Sequence, residues 1–157
     1  MAQRLRPVGI DFVETAPVRL VFAREIGAAP DAVYRALAED TSDWPKWFSA
    51  LTSARESDGR REIRLRGGAR FEETVIVAKA PDVYAYRIDV TNLPGPRAWI
   101  EEWRLTPAGT GTRVQMTFAL DGTGPFLAAV RLARAGVGGS VRGAIAALDR
   151  RLAGKVS

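Results

Sequence analysis

The hydrophobic pattern of the chain changes period several times, and each change marks an element. In VRLVFAREI, Val18, Leu20, Phe22 and Ile26 share one face of an extended segment, which predicts a first strand. PDAVYRALAED then moves to helical spacing, with Pro30 in the first turn and Val33, Ala36 and Leu37 on one side. TSDWPKWFSAL predicts a second short helix, with Ser42 or Asp43 as cap and Pro45 just inside. Its Trp44, Trp47 and Phe48 are read as packing bulk at a helix corner. Six alternating runs follow, at 51–57, 61–66, 70–79, 83–91, 98–106 and 112–121, broken by DGR, RGG, APD, NLPGP and PAGTG and ended by DGTGP. Connections that short favour antiparallel neighbours. Residues 128–153 close the chain as one long helix, and residues 1–16 show no clear period and read as an N-terminal extension, either a tail or a poorly ordered first strand.

These elements make an α+β domain over residues 17–153: a curved, seven-stranded antiparallel sheet wrapped on the C-terminal helix, with two short helices after the first strand. Alternation assigns the inner face of the sheet. It comprises Ile63 and Leu65, then Phe71, Glu73, Val75 and Val77, then Tyr84, Tyr86, Ile88 and Val90. Trp99, Glu101, Trp103 and Leu105 continue it, followed by Val114, Met116, Phe118 and Leu120. Glu73 and Glu101 do not belong in a plain apolar core. Arg87, Asp89, Glu102, Arg104, Arg113 and Gln115 fall on the outer face, where charge pairs cost little.

At about 100° per residue, Val130, Arg134, Val137, Val141, Ile145, Leu148 and Leu152 form one stripe on the last helix, with Leu127 at its edge. A lone Arg134 in that stripe needs a partner, for which Glu101, Glu73 or an acidic ligand group qualify, or else it snorkels to water. Four glycines, Gly136, Gly138, Gly139 and Gly143, each cost about 1 kcal/mol relative to alanine in a helix interior. Gly138 borders the stripe. Gly136, Gly139 and Gly143 form a smooth back surface for the N-terminal tail or for the same helix of a second subunit in a homodimer, and a helix break at 137–139 is the alternative. Alternate turns of a meander lie together, so 66–68, 92–96 and 121–125 predict a mouth with Leu93 and Phe126 as lips.

Composition narrows the chemistry. The chain of 157 residues has no cysteine and no histidine, which excludes thiol nucleophiles, disulfides and imidazole catalysis and gives no reason to expect a metal or other cofactor. The formal charge is +5, but 18 acids are interleaved with 23 bases and no nucleic-acid motif accompanies them, so nucleic acid is not the expected partner. With no segment apolar enough to span a bilayer and no signal-peptide core, the expected location is the cytoplasm.

In REIGAAPDAVYRALAEDTSDWPKWFSAL, GARFEETVIVAKAPDVYAYRI and EEWRLTPAGTGTRV, in that order and spacing, the chain resembles the SRPBCC superfamily, specifically its polyketide cyclase/dehydrase-like branch. The resemblance implies a helix-grip fold with an apolar ligand between the sheet and the last helix. Residues 70–96 depart from the tryptophan-rich strand pattern of dedicated aromatase/cyclases, so the resemblance does not carry their mechanism over.

The ligand-binding residues expected from this reading are Phe71, Glu73, Tyr84, Tyr86, Ile88, Leu93, Trp99, Glu101, Trp103, Met116, Phe118, Phe126, Val130, Arg134 and Val137. The preferred function is binding or carrying a small hydrophobic ligand, lipid-like or polyketide-like. The alternative is a cofactor-independent cyclase, dehydratase or isomerase, with Glu73 or Glu101 as base, Tyr84 or Tyr86 as donor and Arg134 stabilising an enolate. A protein-interaction module is the third reading.

Overall fold

The computed structural model describes residues 2–156. Its elements run β1 (Gln3–Arg4), α1 (Phe12–Thr15), β2 (Val18–Ile26) and α2 (Pro30–Ala38), followed by a 3₁₀ turn (Thr41–Lys46). Next come β3 (Leu51–Ser57), β4 (Arg60–Leu65), β5 (Arg70–Lys79), β6 (Val83–Thr91), β7 (Pro96–Ala108) and β8 (Gly111–Gly122). The chain ends with α3 (Gly124–Leu132) and α4 (Arg134–Val156). The sheet is antiparallel in the order β2-β8-β7-β6-β5-β4-β3, and α4 packs against its inner face through Val141, Ile145 and Leu148, all buried. This is the expected helix-grip arrangement.

Three local features differ from the simple pattern. The second short helix is a 3₁₀ turn whose preceding residue, Asp40, makes no side-chain cap, so neither Ser42 nor Asp43 plays that part. The pairing of β5 with β6 also slips twice. Glu72 lies opposite Val90 and Glu73 opposite Ile88, leaving Asp89 as an extra residue; Val75 lies opposite Tyr86 and Val77 opposite Ala85, leaving Ile76 as another. Each extra residue flips the alternation beyond it, so Val90 and Val77, expected inside, fall on the outer face. Finally, the terminal helix breaks at Ala133, whose φ of −80° and ψ of −3° end α3, and α4 then runs unbroken through Gly136, Gly138, Gly139 and Gly143.

Residues 3–16 are tied to the sheet rather than trailing from it. β6 and β7 pair from Val83 to Arg87 and then part, and β1 enters the gap: Gln3 and Arg4 lie opposite Thr91 and Val90, the Leu5 amide donates to Asp89 O, and the Arg6 amide donates to Arg97 O. Beyond β1, Phe12 and Val13 cover Ala98, Ile100 and Ala119 in a small second core on the outer face. The loss of pairing between β6 and β7 would leave buried backbone groups without partners, and the N-terminal segment supplies them.

Candidate functional site

Between the sheet, the 3₁₀ turn and α4 lies a cavity of about 270 Å³. Its walls are mostly apolar: Phe48, Leu51, Ile63, Phe71, Leu93, Met116, Phe118, Val137 and Val141 among them. Trp44 lines it and also donates from Nε1 to Leu37 O at 3.1 Å, so the same ring is both core and wall. A larger hollow of about 730 Å³ lies on the far side of Arg61 and Glu73, but its lining is largely charged side chains of β3 to β6, and we assign the site to the apolar cavity.

The polar end of the cavity is built by four strands. Arg61 on β4 lies directly opposite Glu73 on β5, with Nε 3.2 Å from Glu73 Oε1, and the two side chains are 0% and 3% exposed. The guanidinium carbon sits 3.8 Å from the Tyr86 ring centre and 4.4 Å from that of Trp44, so aromatic faces replace much of the water the cation has lost. Arg61 Nη1 donates to Tyr84 Oη at 3.4 Å. On β6 and β7, Trp103 Nε1 donates to Tyr86 Oη at 3.2 Å, Tyr86 Oη donates to Glu101 Oε1 at 2.7 Å, and Trp99 Nε1 donates to Glu101 Oε2 at 3.1 Å.

One guanidinium therefore faces two enclosed carboxyl groups. Burial pushes the Glu73 carboxyl up to about 8; Arg61 pulls it down, and Glu101 and Asp89 push it further up. Burial also raises Glu101, against the hydrogen bond from Tyr86, the charge of Arg61 and the bond from Trp99. Arg61 keeps its charge: burial opposes it, but Glu73, then Tyr86, Tyr84 and Glu101, hold its pKa above the ordinary arginine value. The consistent outcome is a charged arginine and a proton retained within the carboxyl pair. Burial and the neighbouring Glu101 raise the Tyr86 phenol, keeping it a hydrogen-bond donor.

The structure brings together most of the residues expected from sequence. Phe71, Glu73, Tyr86, Leu93, Trp99, Glu101, Met116, Phe118 and Val137 line the cavity. Tyr84 and Trp103 stand behind it, holding Arg61 and Tyr86. Ile88 is buried in the core, Val130 is half-buried, and Phe126 packs against Trp99 at 6.2 Å between ring centres. Phe126 also abuts Gly95, where a Cβ would come within 2.6 Å of the Phe126 Cβ and φ is +107°. That contact joins two of the turns expected at the mouth, beside Leu93.

Arg134 is the correction. It begins α4 exposed to solvent, its guanidinium carbon 5.7 Å from the Phe22 ring centre, and it pairs with neither glutamate. The gripping stripe leaves the sheet before reaching it: Val141 is buried, Val137 half-buried and Arg134 exposed. The buried cation is Arg61, which sequence reading passed over although it shares a face with Ile63 and Leu65 at period two. A Cβ at Gly138 would lie 2.7 Å from Phe22 Cε1, so this glycine lets helix and sheet meet, whereas one at Gly136, Gly139 or Gly143 would meet nothing within 4 Å.

Among solved structures, the fold is similar to that of the XoxI protein from Bacillus cereus, at 16% identity with a TM-score of 0.70, covering 86% of this chain and 95% of that one. A START superfamily protein from Mycobacterium smegmatis is 12% identical with a TM-score of 0.66, covering 88% and 99%. The ginseng major latex-like protein 151 from Panax ginseng is 10% identical with a TM-score of 0.60, covering 80% and 96%. No curated protein matches the chain. The family model described as polyketide cyclase / dehydrase and lipid transport matches residues 17–153, and the chain belongs to that family.

Proposed function

We propose that the protein binds and carries a small hydrophobic molecule, lipid-like or polyketide-like, in the cavity between sheet and α4. The observation that carries this reading is an apolar chamber of about 270 Å³ ending in the enclosed group of Arg61, Glu73, Tyr86 and Glu101. Apolar walls supply affinity, and a few fixed polar groups at one end supply orientation. Trp99 and Phe71, 5.2 Å apart between ring centres, offer an edge-to-face pair against which a flat ligand can lie. The family's description, which includes lipid transport, supports the same reading.

A second reading has one observation in its favour. Tyr86 and Glu101 share a hydrogen bond of 2.7 Å, and both line the cavity with Glu73. A carboxyl with a raised pKa next to a phenol donor is the equipment of a cofactor-independent dehydratase or isomerase.

Native purification followed by denaturation and mass spectrometry of the released small molecules tests the binding reading, alongside fluorescence titration with the neutral dye Nile red. A co-purified apolar molecule, or dye binding weakened about tenfold by Trp99→Ala, supports it. Absence of both a released molecule and dye binding contradicts it. Turnover of any molecule so identified, lost in Glu73→Gln or Glu101→Gln, favours the enzymatic reading.

A further inference from the structure

The charge balance inside the cavity narrows the class of ligand, an inference that rests on the cavity being the binding site. Among the lining residues Arg61 is the one base and Glu73 and Glu101 are the acids; α4 contributes Val137, Ser140 and Val141, and the 3₁₀ turn Trp44, none of them charged. From β6, Tyr84 faces Arg61, Tyr86 faces Glu101, and Asp89 acts on Glu73. Arg61 Nη2 is buried and donates to no acceptor among the described residues, and Glu73 Oε1 accepts no aligned hydrogen bond. An unused guanidinium N–H on a residue that lines a mostly apolar cavity is a strong donor awaiting an acceptor.

We propose that the inner end of the cavity receives an uncharged oxygen-bearing group, a ketone, enol or phenol, which accepts from Arg61, and that it turns away carboxylates. A ketone satisfies the free N–H without altering the charge of the site. A carboxylate would add a further negative charge where one cation already faces two acids, so it enters only with a proton. A pure hydrocarbon fits the walls but leaves the donor unused.

Three ligands with the same bicyclic body separate these cases by isothermal titration calorimetry near neutral pH: 2-acetylnaphthalene, 2-isopropylnaphthalene and 2-naphthoate. The ketone binds tightest, with the hydrocarbon and the carboxylate each at least about tenfold weaker. The carboxylate gains on acidification, and its heat varies with the ionisation enthalpy of the buffer because it carries in a proton. In Arg61→Met/Glu73→Leu, which replaces the ion pair with apolar side chains, ketone and hydrocarbon bind equally. Naphthoate binding as tightly as the ketone without proton uptake overturns the inference and leaves the binding reading standing, as does a ketone preference that survives the double substitution. Failure of all three ligands to bind removes both.

Discussion

Arg61 and Glu73 occupy directly opposed positions on β4 and β5, 3.2 Å apart and sealed from solvent. Because both charges are enclosed, neither can be removed alone without stranding the other. Above the Glu73 titration, Arg61→Met should destabilise the fold by about 3–5 kcal/mol, while Arg61→Met/Glu73→Leu should recover most of that loss. Urea denaturation of the two variants checks this; equal losses would mean that the pair is not electrostatically coupled.

The same carboxyl gives stability an unusual pH dependence. Its pKa is raised from 4.5 to about 8, so between those values the folded chain keeps a proton that the unfolded chain gives up. Stability from this group is therefore present at the acidic side, falls as pH rises through the window and levels off above about 8. Glu101, also raised, adds in the same direction. Urea midpoints across that range should decline in the wild type and decline less steeply in Glu73→Gln; a wild-type midpoint that climbs with pH would reverse the assigned sign.

The glycines of α4 should divide by position. Gly138→Ala puts a methyl against the Phe22 ring and should cost about 1–3 kcal/mol. Gly139→Ala or Gly143→Ala meets open space and should instead stabilise by about 0.4–1 kcal/mol. Thermal denaturation distinguishes the two signs, and equal effects at 138 and 143 would refute the close contact with β2.

Phe12→Ala empties the small outer core over Ile100 and Ala119 and should destabilise by about 3 kcal/mol. It should leave ligand affinity unchanged, since the N-terminal segment lies on the opposite side of the sheet from the cavity. Denaturation and dye titration of the same preparation read the two quantities, and a loss of affinity in the folded variant would show that this segment shapes the site.

Much of the architecture was legible because it follows from periodicity. β3, β5 and β6 begin and end where alternation and turn residues place them. The bulges at Asp89 and Ile76 were not, because a single extra residue leaves the local pattern looking regular while inverting the faces of Val77 and Val90. The cavity lining was largely readable for the same reason, down to the misplaced acids Glu73 and Glu101. Their cation was not. Arg134 drew attention as the charge in an apolar helical stripe, yet a helix wheel contains no information about where the sheet ends. Arg61 was overlooked because it stands second in an arginine-rich run, RREIRLR, whose other arginines, Arg60, Arg64 and Arg66, face water. The face it shares with Ile63 and Leu65, opposite Glu73, was the signal available. The role of residues 3–16 depended on the parting of β6 and β7, a tertiary event with no mark in the local sequence.

Methionine occurs twice in the chain, and Met116 lines the cavity. Labelling the methionine methyl groups with ¹³C therefore places a reporter inside the candidate site. On titration with 2-acetylnaphthalene, the Met116 resonance should shift and saturate. A Met116 signal that does not move while the ligand is demonstrably bound would put the ligand elsewhere and contradict the assignment of this cavity as the working site.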